Sequence, residues 1–240
     1  MAPEEDCCCR AGTASILWEA QSTPATVRKA SSGAGTEQVV YADRKVVAPN
    51  DISPDGKTLA TKDGDDDRHV DVWDLSNGRK RATLEADKSQ MYCIKFSPDG
   101  KWLLTGILAR SEPAILWDSA SWKRLRTLNL NQGGVRRAAF SPDGRLLATA
   151  GDEFFGDKNV RLWDTKTWIE RGVIRPQNDV EFLAFSPDGQ TLIVREQNSQ
   201  NLKLWDPFIL QERQMIPLVR QLNDSWFEFA PQQSVVWAGF

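Results

Sequence analysis

Apolar and polar residues alternate along this chain in short runs. Met91-Tyr92-Cys93-Ile94-Lys95-Phe96 and Val180-Glu181-Phe182-Leu183-Ala184-Phe185 are runs of strand length, and each is followed, after a Pro-Gly break, by another apolar run such as 145–150 or 190–194. The segments that end in Trp alternate as well. Val160 and Leu162 fall on one face with Arg161 and Trp163 on the other, and Leu202 and Leu204 oppose Lys203 and Trp205 in the same way. A further strand-length run follows, at 123–128 and 168–174. No stretch carries the three-to-four residue period of an amphipathic helix. The pattern predicts an all-β chain of four-stranded antiparallel sheets in series.

The breaks between runs are themselves periodic. Ser-Pro-Asp-Gly occurs at 53–56, 97–100, 141–144 and 186–189, at intervals of 44, 44 and 45. Trp-Asp occurs at 73–74, 117–118, 163–164 and 205–206, at intervals of 44, 46 and 42. In the first motif Pro presets φ, Asp bonds its own backbone, and Gly accepts a positive φ at the exit, which suits a tight hairpin. Two motifs sharing one period mark a repeat architecture. Worn copies lie at Trp18-Glu19 and at 229–233, so the repeat reaches both ends of the chain.

With FSPDG at Phe96, Phe140 and Phe185, Ile52 in place of the fourth Phe, and the endings HVDVWD, AILWD, NVRLWD and NLKLWD, the sequence resembles the WD-repeat β-propellers. The resemblance implies blades of four strands and, in each, a buried hydrogen-bond set of a Gly-His pair, a Ser or Thr, a turn Asp and the Trp. Thr61, Thr105 and Thr149 hold the hydroxyl position, and Val194 replaces it in the fourth repeat. Asp67 and Asp157 hold the turn position, with Ser111 and Ser199 elsewhere, and Trp73, Trp117, Trp163 and Trp205 complete the set. The His positions read Asp43, Asp87, Asn131 and Pro176, so no complete set survives.

The expected organisation is a disordered tail at 1–11 and a propeller over 12–240. Full repeats are expected at approximately 40–84, 85–128, 129–174 and 175–216, with partial blades at 12–30 and 217–240. That amounts to twenty strands, or five blades' worth. Seven blades would need about 308 residues, so the expectation is a fragment of a larger propeller, with a closed five-bladed ring as the other arrangement.

Composition removes several function classes. Thirty Lys and Arg against 33 Asp and Glu give a net charge of −3, which argues against a dedicated nucleic-acid or anionic-membrane binder. Cys7, Cys8 and Cys9 are adjacent and Cys93 is isolated, a spacing that fits neither a disulfide framework nor a zinc site. With no signal segment or apolar span in view, a cytoplasmic setting is expected.

Catalytic signatures are missing: no Gly-x-Ser-x-Gly elbow, no phosphate-binding loop, and one His, His69, placed in a strand. The chain is expected not to be an enzyme, and no cofactor or metal is expected. Asp63-Gly64-Asp65-Asp66-Asp67 reads as an acidic surface turn rather than a calcium loop, since Arg68 stands where Gly is needed.

Partner binding holds the remaining signal. The third repeat is longest between its second and third strands, and the extra length is 152–156. Asp152, Glu153, Phe154 and Phe155 are the candidate contact residues, with the paired Phe as anchors and the acidic groups setting a preference for basic partners. Trp122 and Trp168, each five residues after a repeat Trp, lie on the opposite rim and read as structural wedges. The expected function is a noncatalytic scaffold that binds protein or peptide partners through rim loops, with a small-molecule substrate not expected. The alternative is a TolB-like or peptidase-associated propeller serving an attached or partner enzyme, since such propellers share the Ser-Pro-Asp-Gly turn.

Overall fold

The computed structural model describes residues 10–11, 14–19, 25–29, 38–43, 49–63, 66–85, 90–107, 114–128, 134–152, 156–217, 227–229 and 236–238. Side chains are described between 51 and 217, leaving out 63–67 and the gaps in that list. Among the described residues every regular element is a strand, and no helix is long and apolar enough to cross a membrane.

Four successive sheets follow the repeat. The first comprises β5 (Pro49–Ile52), β6 (Thr58–Asp63), β7 (Asp66–Asp74) and β8 (Arg79–Glu85). The second comprises β9 (Met91–Phe96), β10 (Trp102–Ile107), β11 (Ala114–Asp118) and β12 (Arg124–Leu128). The third comprises β13 (Arg137–Phe140), β14 (Leu146–Ala150), β15 (Val160–Asp164) and β16 (Glu170–Ile174). The fourth comprises β17 (Val180–Phe185), β18 (Leu192–Glu196), β19 (Asn201–Asp206) and β20 (Gln211–Pro217). Each strand pairs antiparallel with its successor, and the register slips just before every Trp of the third strands.

Ahead of them lies a sheet of β1 (Arg10–Ala11), β2 (Ala14–Glu19), β3 (Ala25–Lys29) and β4 (Gln38–Asp43), and after them the pair β21 (Phe227–Phe229) and β22 (Val236–Ala238). Two strands were expected at the amino-terminal end and four are present. Gln38–Asp43, expected to lead into the first full repeat, instead pairs with β3. Arg10–Ala11, expected in the tail, pairs with β2.

Hydrophobic cores lie between consecutive sheets. Val70, Val72 and Leu84 of one sheet meet Phe96, Leu103 and Trp117 of the next. Leu104, Leu116 and Leu128 then meet Ala138, Leu147 and Trp163. Leu146, Val160 and Leu162 in turn meet Leu183, Leu192 and Val194. Successive residues of β10 therefore enter different cores: Leu103 faces one neighbouring sheet and Leu104 the other. A second strand buried on both faces reads as a continuous apolar run, which is why 103–107 and 146–150 are buried throughout.

Close approach fixes two glycines in this stack. A Cβ on Gly106 would lie 2.4 Å from both the Cys93 sulfur and the Val135 carbonyl. One on Gly172 would lie 1.9 Å from Leu210 Cδ1 of the following sheet.

Candidate functional site

The blade-stiffening lattice is built from the second and third strands. The indole Nε1 of Trp73 donates to Thr61 Oγ1, that of Trp117 to Thr105 and that of Trp163 to Thr149, each at 2.9 Å. Trp205 Nε1 is buried without an acceptor, because its partner position holds Val194. Asp157 is buried, accepts the Asn159 amide at 2.9 Å and pairs with Arg161 at 2.6 Å, so it holds its turn through the backbone and one guanidinium. The Asp67 side chain lies outside the described residues, as do Asp87 and Asn131; Pro176 is buried.

The two rims are built differently. On the rim of the Ser-Pro-Asp-Gly turns, Ser53 Oγ donates to Asp55 Oδ1 at 2.6 Å, that carboxylate accepts the Lys57 amide, and Ser53 Oγ accepts the Thr58 amide at 2.9 Å. The same set recurs at Ser97, Ser141 and Ser186. The serine hydroxyls hold the carboxyls of Asp55, Asp143 and Asp188 below the usual range. Every copy folds onto itself.

That rim also carries the wedges. Trp122 and Trp168 adopt φ of 57° and 59°, in the left-handed region, at the position where the first sheet has Gly78. Their rings repay the strain by packing: Trp122 lies edge-on to Phe96 at 6.4 Å, and Trp168 against Trp102 at 5.9 Å.

On the opposite rim the two ends of the third repeat's extra length, Asp152 and Gly156–Asp157, are tied together as a neck. The Asp152 carbonyl accepts amides from Gly156 at 3.2 Å and Asp157 at 3.3 Å. A Cβ on Gly151 would lie 1.8 Å from the Asp157 carbonyl. Asp152, expected among the partner contacts, is only 7% exposed, and its carboxylate meets Arg136 at 2.9 Å. Its charge is therefore spent inside the neck. Glu153, Phe154 and Phe155 lie outside the described residues, as do the side chains of 63–67.

A neighbouring group had no signal in the sequence. Glu196 is buried at the end of β18, where Oε2 accepts the Gln177 and Asn178 amides at 2.9 and 3.1 Å and Oε1 pairs with Lys203. Lys158 Nζ donates to the Gln177 carbonyl at 2.8 Å, and Arg136 lies 3.8 Å from Asp179. These contacts fix the 175–179 connection beside the neck. The positions matching Glu196 in the other repeats hold Asp63, Ile107 and Gly151, so repeat alignment could not mark it.

Two other candidates have plain roles. His69 stands opposite Glu85 across β7 and β8, with Nε2 3.7 Å from its carboxylate. Burial pushes the Cys93 thiol up to about 11, which keeps it protonated and unreactive.

Like sheets in series, their cores shared with the next sheet and each closed by a Trp, define blades of a β-propeller. The family description "WD domain, G-beta repeat" matches residues 78–111 and 122–164, which supports a WD-repeat family for these repeats. A comparison with curated proteins gives no match. WD repeats generally mediate protein–protein interaction, and propellers of this family are typically noncatalytic.

Proposed function

We propose that this chain is a noncatalytic scaffold that takes protein or peptide partners on the rim of the 151–159 loop. The observation that carries the reading is the neck. Hydrogen bonds from Gly156 and Asp157 close onto Asp152, and Arg136 and Arg161 hold the two buried carboxylates that flank it. Between the closed ends the sequence places Glu153, Phe154 and Phe155. A preorganised neck bearing two aromatics lowers the ordering cost of an anchor. The opposite rim, made of self-satisfied turns repeated four times, supports specificity poorly. With Asp152 consumed internally, Glu153 and the 63–67 run are the acidic groups left to favour a basic, apolar partner surface.

The test is partner capture by the wild-type chain, the Phe154→Ala/Phe155→Ala variant and an Asp99→Ala control, followed by binding measurements on each purified partner. An anchor of this kind costs about 2 kcal/mol when truncated, some thirtyfold in affinity. Undiminished binding by the folded double variant refutes the reading.

A further inference from the structure

The outer strands of the four sheets align position by position, because each pairs with its Trp strand in the same register. Where the second sheet has Leu125, the others have Arg81, Arg171 and Arg213. Arg81 pairs with Asp74 at 2.6 Å and Arg213 with Asp206, so in two sheets this arginine answers the Asp of the Trp-Asp pair. In the second sheet Asp118 instead accepts the amide and the hydroxyl of Ser121, at 2.7 and 2.6 Å. Leu125 is left 52% exposed. Leu116 pairs with Arg126 and Trp117 with Arg124, which makes Leu125 the bulged residue, and a bulge re-aims the side chain it carries.

Three exposed cations flank that leucine: Lys123, Arg124 and Arg126. Asp118 is the one carboxylate in the whole stretch 114–128. The third strand explains the imbalance. In the first sheet it carries Asp71, which pairs with Lys80 at 3.1 Å, whereas the matching residue of the second sheet is the buried Ile115. Arg124 donates to Thr127 Oγ1 at 2.6 Å, and Lys123 and Arg126 form no ion pair among the described residues.

The surrounding carboxylates do not cancel this excess. On the adjoining turn Asp99 pairs with Lys101 at 3.1 Å. Asp74 is held by Arg81, Glu170 by Arg161 at 2.6 Å, and Glu85 stands opposite His69 at the far end of β8. Cations on an outer strand also guard a sheet edge. Guarding does not call for an exposed leucine among them, at a position where the three sister strands place arginine.

We infer that the stripe Lys123, Arg124, Leu125 and Arg126 is a second docking surface, which takes an acidic protein segment bearing an apolar residue that covers Leu125. The partner supplies the carboxylates that β11 lacks. Its charge is opposite to that favoured at the neck, so the two surfaces select different partners. This inference does not depend on the neck's function.

The test is fluorescence anisotropy of the full chain with a short labelled peptide of Glu interrupted by Leu, beside a control with Lys for Glu. Lys123→Gln/Arg124→Glu/Arg126→Gln borrows Gln211, Glu212 and Gln214 from the matching positions of β20, so the sheet is kept. Leu125→Ser removes the apolar contact alone. Saturable binding of the acidic peptide is expected, weakened about tenfold by the borrowed strand and about threefold by Leu125→Ser. Salt should weaken the wild-type binding, and Phe154→Ala/Phe155→Ala should leave it unchanged. No saturable binding, equal binding of the Lys peptide, or unchanged binding by either stripe variant would overturn the assignment. So would tighter binding of a single-stranded oligonucleotide or of phosphatidylserine vesicles than of the peptide.

Discussion

Trp205 presents a buried indole N–H to Val194, a side chain that cannot accept it, whereas the matching Trp73, Trp117 and Trp163 each donate to a threonine at 2.9 Å. An unsatisfied buried donor costs about 1–3 kcal/mol. The fourth described blade therefore carries a defect that its three predecessors lack.

Val194→Thr should repair it. Val and Thr have nearly the same shape, and the new hydroxyl can in turn donate to the Lys203 carbonyl, as Thr61 Oγ1 does to Asp71 at 3.4 Å. The expected gain is about 1 kcal/mol, a rise of about 2–4 °C in Tm for a chain of this size. A changed chemical shift of the Trp205 indole proton would report the new bond directly.

Thr105→Val should do the reverse in the second blade. It leaves Trp117, which is buried, without its acceptor. The expected loss is about 1–3 kcal/mol, measured by urea unfolding.

Trp168→Gly sets two effects against each other. Glycine relieves a φ of 59°, worth about 1 kcal/mol, but removes the ring that packs on Trp102. Losing a large aromatic costs more, about 3 kcal/mol even for a half-buried ring, so the variant should be less stable by about 2 kcal/mol. A neutral or stabilising result would mean that the ring is no wedge.

Gly151→Ala tests the neck. The added methyl would meet the Asp157 carbonyl at 1.8 Å, so the backbone must part. Overpacking of this kind costs about 1–3 kcal/mol, and hydrogen exchange at the Gly156 and Asp157 amides should quicken against wild type.

Acid should loosen the turns before the cores. Hydrogen bonds from serine hydroxyls lower the carboxyls of Asp55, Asp143 and Asp188, so the unfolded chain takes up protons first as pH falls. Their contribution is complete above the ordinary carboxyl value of 3.8 and is lost as pH drops through their lower folded values. Asp51 runs the other way, since burial lifts its carboxyl against the pull of Lys95, and its protonation favours the folded state. Ser53→Ala, Ser141→Ala and Ser186→Ala together should flatten the acid limb of the urea midpoint plotted against pH.

The strands, the hairpin turns and the Thr–Trp pairs were legible in the sequence because their causes are local. Period-two alternation, the Pro-Asp-Gly turn and a hydroxyl twelve to fourteen residues from an indole all act within one blade, and the 44-residue period repeats them. Val194 stood out as a gap in the set that the family resemblance implies. What the tertiary structure decided crosses between chain segments. Asp152 turns inward because Arg136 arrives from the preceding connection, and Glu196 is buried because the 175–179 backbone needs an acceptor there. Gln38–Asp43 joins the earlier sheet because β3 offers it an edge. Position 172 must be glycine because Leu210 of the neighbouring blade leans on it. A repeat pattern specifies what each blade does for itself; which charges face solvent is fixed only when the next blade packs against it, because burial is a property of the pair.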